Sequence, residues 1–90
     1  IVPNSLELYQ NYPNPFNPNT KIRFSIPSNG NCSVKIYNIL GQMIQSYSYS
    51  DLAAGTHEFN FNGSNFASGI YLYSLEFKNS IVTKKMMMIK

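Results

Sequence analysis

His57 is the only histidine of this chain and Cys32 the only cysteine. A nucleophile of the Ser–His or Cys–His kind would pair one of them with the other or with a serine, and would need a third group to orient the base. The chain has no GxSxG elbow, and no acid stands at a suggestive spacing. Its acids, Glu7, Asp51, Glu58 and Glu76, are scattered. A hydrolytic carboxylate pair must be brought to roughly 5–9.5 Å in a cleft, and Ca²⁺ needs a dense cage of oxygens. Neither is expected here. A lone cysteine makes no internal disulfide and offers too few ligands for a metal site. Cys32 therefore reads as a small hydrophobe at the start of a strand, and His57 as a strand-lining residue. Asn62 opens an Asn-Gly-Ser glycosylation pattern but reads first as a turn. These residues predict a non-catalytic chain with no cofactor, no metal and no small-molecule substrate.

The charged residues offer a different chemistry. The net charge is +3, from seven Lys/Arg against four Asp/Glu. Nucleic-acid binding wants a basic stripe interleaved with aromatics. Here Lys21, Arg23, Lys35 and Lys78 stand apart, and only Lys84, Lys85 and Lys90 cluster, so no nucleic acid is expected. That cluster belongs to the tail "KKMMMIK". Strict alternation places Lys85, Met87 and Ile89 on one face and Met86, Met88 and Lys90 on the other. One reading is an edge strand whose lysines guard against aggregation. The other is an address read by a receptor, with Lys84, Lys85, Met86, Met88 and Lys90 as candidate contacts. Methionine adapts to irregular partner surfaces, and an edge strand leaves backbone groups free for strand addition.

The elements that position these residues read as strands. At 90 residues the chain suffices for one domain. Its 43% hydrophobic and 14% aromatic content argues against disorder. The polar residues are mostly Asn, Ser, Thr and Gln, which suits an extracellular or periplasmic β-protein. No apolar run approaches the ~18 residues of a membrane span. "KIRFSIP" alternates strictly, with Ile22, Phe24 and Ile26 on one face. Pro27 ends it, and Asn29-Gly30 turns. Further strands are expected over residues 32–40, 42–50, 56–63, 69–77 and 81–90, with a loop over 51–55 and a turn over 78–80. Leu6 and Leu8 alternate like one more short strand. Six or seven short strands at this spacing predict an all-β sandwich. "SGIYLY" puts Tyr71 just after Gly69 at the start of a strand, where immunoglobulin-like domains use a tyrosine hydroxyl to bond nearby backbone. Gly41 and Gly55 mark further breaks.

The segment "NYPNPFNPNT" fits none of these elements. Pro13, Pro15 and Pro18 fix φ and remove donors, so a rigid strap is expected. Phe16 is too apolar for a linker. Tyr12 and Phe16 are expected to plug one open end of the sandwich. The chain begins at Ile1 with no signal peptide, and reads as a piece of a longer protein.

Four stretches taken together resemble one family. They are "YPNPFNPNTKIRFSIP", "VKIYNILGQMI", "LAAGTHEFNFNGSNFASGIYLYSL" and "TKKMMMIK". In this order they are similar to the type A C-terminal sorting domain of the type IX secretion system. Asn38 stands where the family often has Asp, and Phe61 where it often has Trp. The resemblance implies a seven-stranded immunoglobulin-like β-sandwich over residues 6–90, with residues 1–5 the end of a cargo linker. It implies an address on a cargo in the same precursor chain, in transit through the periplasm to the cell surface or medium. The partners implied are an outer-membrane translocon and a surface sortase that commonly removes the domain. "VKIYNILGQMI" and "FNGSNFASGIYLYSL" also resemble the immunoglobulin-like part of flagellar hook-capping proteins, which leaves the strap and tail unexplained. A carbohydrate-binding or adhesion module would need an exposed aromatic platform, for which Tyr37, Tyr47 and Tyr49 are candidates.

Overall fold

In the strand that follows the strap, Thr20, Ile22, Phe24 and Ile26 are buried and Asn19, Lys21 and Arg23 are exposed. This period of two fixes which face meets the core. The structure, a computed structural model, describes residues 6–90; the expected linker end at residues 1–5 lies outside them. The described residues form β1 (Glu7–Leu8), β2 (Asn19–Ile26), β3 (Gly30–Asn38), β4 (Met43–Leu52), β5 (Gly55–Asn62), β6 (Gly69–Phe77) and β7 (Ser80–Met88). All pairings between these strands are antiparallel. One sheet has the order β1-β2-β5 and the other β4-β3-β6-β7. The two sheets make the expected all-β, immunoglobulin-like sandwich.

The core lies between the sheets. Ile22, Phe24 and Ile26 from β2 are fully buried together with Val34 and Ile36 from β3 and Tyr73 and Leu75 from β6. The central strands β3 and β6 pair Val34 with Leu75 and Ile36 with Tyr73. Ser25 is buried too, and its hydroxyl is satisfied by Thr56 at 3.0 Å and Tyr9 at 3.1 Å.

Element ends differ from the sequence reading where asparagine side chains intervene. β3 stops at Asn38 rather than at residue 40. The Asn38 Oδ1 accepts the backbone N–H groups of Leu40 and Gln42, both at 3.0 Å. That local bonding competes with the ladder and closes a turn. Gly41 completes it at φ 82°, a conformation that costs other residues more. Ile39 and Leu40 are thereby lifted off the sheet. The expected loop over residues 51–55 shrinks to Ala53 and Ala54. Asn31 and Asn29 hold it, accepting the N–H groups of Asp51 at 2.9 Å and Ala54 at 2.7 Å. β7 ends at Met88, so Ile89 and Lys90 fall beyond the strand.

Candidate recognition surface: the C-terminal strand and the proline strap

β7 is an outer strand, paired to β6 from Gly69–Met88 to Phe77–Ser80. Its pairing decides where each tail residue points. Met86 sits opposite Tyr71, and Met88 opposite Gly69; both methionines are buried in the core. The expectation that Met86 and Met88 meet a partner is therefore corrected: in the folded domain they anchor the strand. Lys85 and Met87 point the other way and are exposed. Lys84 lies opposite Tyr73, half-buried. Lys90 is tethered, its Nζ donating to the Ser64 carbonyl at 2.7 Å and its N–H to Ser68 Oγ at 3.0 Å.

The outer edge of β7 is not open along its C-terminal half, contrary to expectation. The strap lies on it. Phe16 N–H donates to the Met87 carbonyl and Ile89 N–H to the Phe16 carbonyl, both at 2.9 Å. Phe16 and Met88 thus form an isolated parallel bridge. Asn14 Oδ1 accepts Met87 N–H at 3.0 Å, and Gln10 Nε2 donates to the Lys85 carbonyl at 2.8 Å. Strand addition by a partner is blocked from Lys85 onward, because these backbone groups already have partners.

Phe16 does what its type demanded. It is 1% exposed and meets the Phe61 ring edge-on, with centroids 6.0 Å apart. Tyr12 does not: it is 80% exposed. Its backbone pairs with Lys21 in both directions, at 3.0 and 2.9 Å, and this fixes the side chain outside the sandwich. Pro13 and Pro15 are exposed and Pro18 is half-buried. The peptide bonds preceding all three prolines are cis.

A buried polar cluster that no sequence pattern announces fastens the strap's start. Asn11 is 2% exposed. Its Nδ2 donates to Thr20 Oγ1 at 3.0 Å and to the Pro13 carbonyl at 3.1 Å. Its N–H donates to the Tyr73 hydroxyl, which donates onward to the Tyr9 carbonyl, each at 2.8 Å. Burial pushes the Tyr73 phenol above its ordinary pKa, and the Asn11 N–H opposes this only in part. Buried polar groups are tolerated when satisfied in this way. Gly63 is a second residue the sequence reading passed over. A Cβ there would lie 2.5 Å from the Met88 sulfur. Its N–H also donates to the Pro18 carbonyl at 2.9 Å. A larger residue at Gly63 would therefore displace the buried Met88 side chain where strap, β5 and β7 converge.

The Tyr71 hydroxyl donates to the Ala67 carbonyl, four residues back. Gly55 and Gly69 start β5 and β6. His57 Nε2 is 2.7 Å from the Ala53 carbonyl, which can only accept, so that nitrogen carries the proton. Cys32 is buried, and burial raises its thiol pKa, which makes it a poor nucleophile. Tyr47 and Tyr49 turn toward the opposite sheet, with centroids 4.5 Å from Phe59 and 6.0 Å from Phe24. The suggested platform with Tyr37 is therefore not built, since Tyr37 lies on the other face.

The family model described as the secretion system C-terminal sorting domain matches residues 10–90. The chain belongs to this family. The match takes in both the strap and the tail, the two segments the hook-capping resemblance leaves unexplained. It makes the chain a type IX sorting domain, a class of signal that directs export toward the cell surface or the medium. The sorting domain's fold is similar to part of the crystal structure of dimeric latent PorU from Porphyromonas gingivalis. The TM-score is 0.70 at 23% identity, covering 99% of the sorting domain and 10% of the PorU chain. It thus spans about a tenth of that chain's length. Comparison with curated proteins finds no match.

Proposed function

We propose that this sorting domain acts as a non-catalytic address on a longer cargo, read in its folded form by the outer-membrane translocon. The observation that carries this reading is the rigid seating of the tail. Met86 and Met88 are sunk in the core and the strap is bonded along the edge, so the backbone of the lysines on either side of them is held in place. Recognition of lysines on an ordered strand needs no ordering of a loose peptide backbone, and that lowers the cost of binding. Lys84, Lys85 and Lys90 are the proposed contacts. Met86 and Met88 act indirectly, by holding them. The cargo precedes the domain in the same precursor, with residues 1–5 as the end of its linker. It passes through the periplasm, and a surface sortase removes the domain after translocation.

The test is a reporter enzyme with an inner-membrane signal peptide, carrying residues 1–90 at its C-terminus, expressed in a cell with a working type IX system. The reporter should appear outside the outer membrane, and stay periplasmic when residues 84–90 are removed. Periplasmic retention of the intact fusion, folded and uncut, would overturn the reading.

A further inference from the structure

At the end of the sandwich carrying the β3–β4 turn, Ile39, Leu40 and Met43 are 70%, 79% and 55% exposed. Nothing in the fold requires apolar residues in that turn. Its shape comes from Asn38 and Gly41, and polar side chains would be better solvated there. The exposure continues onto the outer face of the larger sheet. Met43 pairs with Tyr37, Tyr37 with Leu72, and Ile70 with Met87, which is 40% exposed. It also continues around the end, into a groove of about 380 Å³ walled by Ile39, Ile44, Phe66 and Ile70. Contiguous apolar surface of this kind marks an interaction site far more often than scattered exposed residues do.

The border of this surface is basic. Lys85 stands in the same cross-strand row as Leu72. Lys90 is held by Ser64 and Ser68, in the loop that closes the groove. Glu76 lies further along the sheet, opposite Ser33 and Ile81, and is occupied by Lys35 at 3.0 Å. Among the described residues no acid lines the groove. We propose that this end docks a folded protein of the export machinery whose contact face is apolar with an acidic border. The inference rests on the sorting reading and extends the tail-lysine contact onto an adjoining apolar surface. A second copy of the domain is disfavoured, because a two-fold pairing would bring basic border toward basic border. A lipid surface has no use for the groove, which suits an inserted apolar side chain of a protein.

The experiment uses the complete precursor. In the Ile39→Ser/Leu40→Ser variant the melting curve should stay at the wild-type position, because both residues are exposed. Its export should fall about tenfold or more, the usual consequence of losing central apolar anchors. Leu40→Met should export normally. Export of the double variant at the wild-type rate would overturn the proposal. So would a wild-type dimer in sedimentation that the variant dissolves, which would assign the surface to a second copy. Binding to phosphatidylglycerol vesicles, lost in the variant, would assign it to lipid and overturn the proposal as well. If the double variant melts early, Met43→Gln carries the same comparison. A precursor lacking the whole domain separates the two readings. Its export would defeat the sorting reading, whereas its retention beside normal export of the double variant would defeat the docking surface alone.

Discussion

β7 and β4 are the two outer strands of the same sheet, and they are finished in opposite ways. β7 sinks Met86 and Met88 into the core, and the strap bonds its edge from Lys85 to Ile89. β4 is longer, with ten residues, yet none of them is fully buried. Tyr47 and Tyr49 cover the core only in part, and Ser46, Ser48 and Ser50 are exposed. Among the described residues no segment pairs with its outer edge. Strand length therefore does not set anchorage. Buried side chains and covered backbone do, and of these two outer strands only the C-terminal one has both.

The largest break in that contrast should come from Phe16→Ala. It empties a fully packed aromatic site and should destabilise by about 3–5 kcal/mol in urea unfolding. Amide exchange at Ile89 should rise, since its acceptor is the Phe16 carbonyl; β4 amides should change only as global stability does. Asn11→Ala comes next. It removes the side-chain acceptor and donor that join the strap to β2, leaving Thr20 and Gln10 with fewer partners, while the backbone bond to Tyr73 stays. A loss of about 1–3 kcal/mol is expected by the same measurement.

How much of this contrast could be read beforehand follows from what alternation can and cannot report. β2 alternates apolar with polar, so its faces were legible, as was Tyr71 in its corner. Phe16 was legible because a large apolar residue among prolines needs a cover. The tail was not. Three consecutive methionines give period two no polarity to act on, so the sequence alone left open which of them is core. The strap's landing place depends on a contact between residues 16 and 88, far beyond any local pattern. Asn11 was missed because a buried asparagine looks in sequence like any other turn asparagine. Ile39 and Leu40 were misread as strand because Asn38, whose side chain ends the ladder, also occurs inside strands.

A smaller effect concerns pH. The folded-state pKa values of Cys32, Tyr47, Tyr49 and Tyr73 are all raised, chiefly by burial. The folded state then holds these protons more tightly than the unfolded chain. Stability from this source is intact below the ordinary thiol and phenol values of about 8.5 and about 10 and falls as pH rises past them. Urea midpoints should be level from neutral pH to about 8 and decline in alkali. Tyr73→Phe should lower the midpoint at neutral pH and make the alkaline decline shallower. The smallest effect should be Ser48→Lys on β4. An exposed position on an uncovered strand should change stability by no more than about 0.5 kcal/mol.

The folded domain is proposed to present its tail lysines as the address. The most direct measurement is export of a fused cargo carrying Lys84→Gln, Lys85→Gln and Lys90→Gln together, with a melting curve taken on the same protein. The prediction is a domain that melts near the wild-type temperature while its cargo accumulates in the periplasm. Export at the wild-type rate from that folded variant would contradict the claim and leave the lysines as guards of a strand end.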